Sequence, residues 1–139
     1  MPDMVTGTVN APQLPSSPLR RDQILSGDPK TGALLFGTSP DGNLSFNLWD
    51  CTAGSFRWVY NSDEIIHVLD GGATITPVGG GAPRTVKAGD VVYFPRGLVA
   101  DWVVDNYIKK LAVHRSETVS LRQRVTGKVK KLIKQRLGV

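Results

Sequence analysis

From Ala33 to Val113 the chain is a succession of short β-prone runs, broken by turn-forming residues about every eight to twelve positions. No segment of helical period is long enough to interrupt it. The runs are Ala33–Thr38, Leu44–Thr52, Phe56–Tyr60, Glu64–Leu69, Ala73–Pro77, Val91–Phe94, Ala100–Val104 and Ile108–His114. Between them lie Ser39-Pro40-Asp41-Gly42, Asn61-Ser62-Asp63, Gly79-Gly80-Gly81 and Arg96-Gly97, all turn formers. Such a rhythm restricts the chain to an all-β sandwich or small barrel, and its fifteen glycines and nine prolines fit many tight turns.

On either side the pattern changes. Residues 1–30 are read as an extended arm, with Pro2, Pro12, Pro15 and Pro18 in its first part and no periodicity. It is either a strand exchanged with a partner subunit or a disordered end. Residues 31–115 form the β domain. In the last segment, 116–139, Leu121, Val125, Val129, Leu132, Ile133 and Leu137 fall on one helical face. Ser120 with Gln123 forms a capping box, and Gly138 stands where a helix would stop, so the spacing predicts an amphipathic helix over about 121–137.

The formal net charge of +5 belongs to that last segment. Seven Lys and Arg there face only Glu117, whereas residues 1–115 carry ten basic against eleven acidic side chains. A basic amphipathic segment can lie on an anionic membrane or an acidic partner, or pack its apolar face on the sheet or a second subunit. It carries no nucleic-acid motif and no aromatic stacking platform, so nucleic acid is not the expected partner. One cysteine, Cys51, excludes an intramolecular disulfide. No apolar run approaches a membrane span, and the N-terminus does not read as a signal peptide, which makes the cytoplasm the expected compartment.

The most informative residues run from Gly54 to Trp102. They spell Gly54-x3-Trp58-x-Tyr60-x3-Glu64-x6-Gly71, then Gly89-Asp90-x4-Pro95-x-Gly97. This resembles the two motifs of the cupin superfamily across roughly residues 30–115. Trp49-x-Cys51-x2-Gly54-x-Phe56-x-Trp58, with Asp63-Glu64, Val68-Leu69-x-Gly71, Trp102-x-Val104 and a lysine at 110, is similar to one group within it. That group holds the single-domain cupins placed with (S)-ureidoglycine aminohydrolase and the ethanolamine-utilisation cupins. The resemblance implies a small antiparallel barrel or jelly roll that dimerises with itself. Cupin metal sites use three histidines and one glutamate. Here the histidine positions hold Trp58, Tyr60 and Ala100, and only Glu64 remains. A lone carboxylate holds a transition metal poorly, so neither a metal nor another cofactor is expected.

Strand alternation then sorts the side chains. If Glu64 faces the lumen, so do Trp58, Tyr60 and Val68, and on a later strand Ala100, Trp102 and Val104, with Lys110 beyond. A buried carboxylate without a metal needs a positive partner or a proton, and Lys110 is the candidate partner. Trp58, Tyr60 and Trp102 either frame that pair as a pocket for a small polar ligand or fill the barrel as core. By the same count His67 faces outward. His114 is expected at the surface, Cys51 as an inert buried thiol, and Gly79-Gly80-Gly81 as a hairpin turn. Two functions remain: a metal-free cupin that binds a small molecule in small-metabolite handling, or an enzyme of the ureidoglycine-aminohydrolase type or a lumen isomerase. In the second, Glu64 is the general base and Tyr60 or Lys110 the acid.

Overall fold

The structure, a computed structural model, describes residues 1–117, so the helix expected over 121–137 lies outside the described residues. Seven antiparallel strands are present among them: β1 Ile24–Gly27, β2 Thr31–Thr38, β3 Leu44–Val59, β4 Asp63–Pro77, β5 Arg84–Lys87, β6 Val91–Phe94 and β7 Val99–Arg115. The fold class is all-β, as the turn rhythm predicts. No helix among these residues is long and apolar enough to cross a membrane.

Three long strands organise everything else. β7 lies between β3 and β4 along its whole length, and each of those two changes its outer neighbour part-way along. The first half of β3 pairs β2 and the second half pairs β1. The first half of β4 pairs β6 and the second half pairs β5. Two half-sheets result, β2-β3-β7-β4-β6 and β1-β3-β7-β4-β5, joined through continuous strands. Their inner faces share one core in which Ile66, Val68, Ile108 and Ala112 meet Phe56, Ile75, Val86, Trp102 and Val104.

The bends explain where the expected strand boundaries differ. Six of the expected runs merge pairwise into β3, β4 and β7, because the intervening Ala53-Gly54, Asp70-Gly71-Gly72 and Asp105-Asn106 shift the register without ending the pairing. Gly71 is required at one of them. Its φ is 65°, and a Cβ there would overlap the Tyr107 carbonyl oxygen. The shift at Thr52–Gly54 also reverses the inward parity of β3. Before it Trp49 and Cys51 face the core; after it Phe56 and Trp58 do. Two short strands, β1 and β5, have no counterpart among the expected runs. β5 buries only Val86, and β1 buries nothing fully, so neither shows alternation.

β1 also shortens the expected arm, since it falls within residues 1–30. The preceding residues lie on this chain's own sheet. Val5 and Gly7 pack by Gly37 and Phe36, Leu14 is buried, and Lys109 Nζ donates to the carbonyls of Val9 and Ala11 at 2.8 and 2.9 Å. Ser16 bridges Gly32, which brings residues 17–19 to the end of the lumen.

Candidate functional site

Trp58, Tyr60, Glu64, Trp102 and Lys110 line a single pocket of about 200 Å³ in the lumen. The strands place them by register. Trp49 and Lys110 are direct partners across β3 and β7, as are Phe56 and Trp102. Glu64 and His114 are direct partners across β4 and β7. Asn47, Trp49 and Phe56 complete the wall from β3, while Ser17, Leu19 and Gln23 from the arm line its outer end.

Lys110 and Glu64 form the centre. Nζ donates to Glu64 Oε2 at 2.7 Å, with the two side chains 9% and 3% exposed. The ammonium also lies 4.8 Å from the ring centroid of Trp49 and 5.3 Å from that of Trp102, over their electron-rich faces. Buried ions need such company, because leaving water costs each of them several kcal/mol, about as much as a good pairing returns. The aromatics are fixed in turn by one another. Phe56 stacks on Trp102 at 5.7 Å, Tyr60 stacks on Phe94 at 4.5 Å, and Trp102 Nε1 donates to Tyr60 Oη at 3.1 Å. Trp102 is wholly buried, whereas Trp58 keeps a partly exposed edge against the pocket.

His114 corrects the sequence reading. It is not a surface residue but a lumen residue, with Nδ1 3.2 Å from Glu64 Oε1 and Nε2 3.1 Å from Asn47 Oδ1. The reason is alternation itself. Ile108, Lys110, Ala112 and His114 share one face of β7, which continues to Arg115 rather than closing at His114. Burial lowers its pKa below the ordinary imidazole value, against the Glu64 carboxylate, which raises it, and with the Lys110 charge, which lowers it further. Asn47 Nδ2 donates to the Leu48 carbonyl, leaving Oδ1 to accept from Nε2. On that arrangement Nδ1 faces Glu64 Oε1 and takes its hydrogen bond from Ser62 Oγ at 3.4 Å.

The other candidates fall where chemistry is weak. Burial, with the Glu64 charge beside it, pushes the Tyr60 hydroxyl far above its ordinary pKa, and the hydrogen bond from Trp102 only partly opposes this. Tyr60 therefore keeps its proton and is a poor acid. Cys51 is buried, and its thiol is pushed up to about 12 chiefly by burial, then by Asp50, with Lys110 opposing. His67 is exposed on the outer face of β4. Asn47 and Trp49 are site residues that the sequence reading does not assign. Trp49 stands in the motif, but only the parity reversal at Thr52–Gly54 turns both side chains into the same lumen as Trp58.

The residues present do not fit the metal that cupins carry. Trp58, Tyr60 and Ala100 replace the imidazoles, and an ammonium occupies one oxygen of the remaining carboxylate. His114 and Glu64 are two donors, and no group of three or more metal-ligating side chains occurs among the described residues.

Comparison with known proteins agrees with this frame. The EutQ-like cupin domain family matches residues 38–112. The structure of the Clostridium difficile EutQ protein superposes with a TM-score of 0.57 at 23% identity, covering 68% of this chain and 76% of that one. A putative ethanolamine utilization protein Q from Salmonella typhimurium gives 0.56 at 25% identity, covering 71% and 78%. A DUF861-family protein of unknown function from Pseudomonas syringae gives 0.65 at 22% identity, over 72% of this chain and 43% of that one. No curated protein matches the chain. With the matched segment spanning more than half of its 139 residues, the chain belongs to the EutQ-like cupin domain family.

Proposed function

We propose that the lumen binds a small, uncharged organic molecule without a metal, and that this is the protein's role in small-metabolite handling. One observation carries the reading: a buried Lys110–Glu64 pair opens on a pocket of about 200 Å³ walled by aromatic rings. The two charges cancel, so a charged guest would be buried without a counter-ion, at large cost. A neutral guest with a donor or acceptor at one end meets the ion pair, while its apolar part lies against Trp49, Trp58 and Phe56. The likeness to the Salmonella typhimurium ethanolamine utilization protein Q supports a place in the handling of small metabolites. The working unit in this reading is the homodimer.

The test is a thermal-shift panel of small alcohols, amides and ketones beside matched carboxylates and amines, run with and without chelator. Neutral compounds are expected to raise Tm, equally in both conditions. A panel in which only carboxylates or only metal-supplemented samples respond overturns the reading.

A second reading has its own support in the Glu64–His114 contact of 3.2 Å. A carboxylate and an imidazole that exchange a proton beside a bound substrate form an acid–base couple, suited to moving a proton within a neutral molecule. His114, rather than Tyr60, is then the partner of Glu64. Turnover that is abolished by Glu64→Gln and by His114→Asn, with binding retained in both, would favour it.

A further inference from the structure

We infer that Lys110 is a covalent capture site for small aldehydes and ketones, forming an imine through Nζ; the inference rests on the lumen being a ligand pocket.

Lys110 differs from every other described lysine. Lys30 and Lys87 are exposed, at 74% and 79% of their side chains, and Lys109 is engaged by the arm. Lys110 alone is buried, yet it lines the pocket. An amine attacks a carbonyl only after losing a proton, and the acceptor is already in contact at 2.7 Å. The rings of Trp49 and Trp102 that flank Nζ keep bulk water away, which limits hydrolysis of the product. A lysine withdrawn from water into an apolar, aromatic pocket is one setting in which amine nucleophiles operate.

The step balances without any other reagent. The Lys110 ammonium gives one proton to Glu64. The freed lone pair attacks the carbonyl carbon, a C–N bond forms, and the C=O π pair moves to oxygen, which takes up a proton to give the carbinolamine. A second N–H proton passes to the Glu64–His114 couple as that couple protonates the departing hydroxyl. The C–O bond then breaks, and water leaves. Ammonium plus carbonyl has become iminium plus water, so the positive charge beside Glu64 is the same before and after. Electrostatics, which would oppose removing a charge from this ion pair, do not oppose this product.

The test treats the full chain with cyclopentanone and sodium cyanoborohydride and is read by peptide mapping at each lysine. Cyclopentanol, which has similar bulk and cannot form an imine, is followed in parallel through the indole N–H signals. The expected result is labelling of Lys110 about tenfold or more faster than Lys30 or Lys87, since the pocket holds the carbonyl against the amine. Labelling of Lys110 no faster than the exposed lysines, with cyclopentanol still shifting the indoles, overturns the capture and leaves the pocket standing. No selective labelling and no indole response overturns both.

Discussion

Lys110 Nζ and Glu64 Oε2 stand 2.7 Å apart across β7 and β4, in a lumen where the two side chains are almost withdrawn from solvent. Each makes the other tolerable. Removing one leaves an uncompensated buried charge, whereas removing both leaves no buried charge.

Lys110→Met should therefore lower the unfolding free energy by about 3–5 kcal/mol, as should Glu64→Gln to a lesser degree, because the amide still accepts a hydrogen bond. The double variant Lys110→Met with Glu64→Gln should recover much of the loss. Urea unfolding of the four proteins gives the coupling; strict additivity of the single losses would show that the pair is not interacting.

Trp102 and Trp58 should separate folding from binding. Trp102→Ala empties the shared core of both half-sheets and should cost about 3–5 kcal/mol. Trp58→Ala removes a partly exposed pocket wall and should cost less than half as much, while abolishing the thermal shift given by neutral ligands. Equal destabilisation by the two substitutions would mean that Trp58 is core rather than wall.

Gly71 and Gly42 have φ values of 65° and 76°, so alanine is strained at either. Only at Gly71 would the new Cβ meet backbone, the Tyr107 carbonyl; at Gly42 nothing lies within 4 Å. Gly42→Ala should cost about 1–2 kcal/mol, and Gly71→Ala more, in the measured unfolding free energy. Equal losses would mean that β7 yields freely at the β4 bend.

Stability should fall in two stages as pH drops. Burial holds the pKa of His114 below its ordinary value, so the unfolded chain binds a proton more readily, and stability is lost as pH falls below about 6.5. Asp63 is held down to about 2, first by the hydrogen bond from Arg115, then by those from the Arg96 N–H and the Tyr93 hydroxyl. Its contribution is full above the unfolded carboxylate value and disappears as pH falls toward 2. Urea midpoints across this range should lose the upper stage in His114→Asn, and Asp63→Asn should shrink the lower stage, to which Asp41 and Asp101, also held below their ordinary values, contribute too. A single stage, insensitive to His114→Asn, would contradict the half-buried position of the imidazole.

How much of this was legible in the sequence depends on the kind of residue. Turn chemistry marked the all-β class, and the Gly71, Gly89, Pro95 and Gly97 positions marked the cupin frame, because backbone conformation at those points restricts the residue type. Parity placed Glu64, Trp102 and Lys110 together, since Glu64 and Lys110 each lie on one uninterrupted face of a strand. The same parity extends to His114, which reads as a surface residue only if β7 is taken to end there. Asn47 and Trp49 required the register shift at Thr52–Gly54, and a shift of one residue has no signal separable from a turn. β1 and β5 were silent because edge strands that bury one side chain or none show no alternation.

In the proposed reading the lumen is an open pocket that takes an uncharged molecule without a metal. All three tryptophans, Trp49, Trp58 and Trp102, line it, so their indole N–H resonances form a complete set of reporters. The decisive measurement is a titration of chelator-treated protein with cyclopentanol, followed by those three signals. Saturable shifts in the indoles, unchanged when zinc or manganese is added, are expected. Indole signals that stay fixed, or that move only once a divalent metal is present, would contradict it.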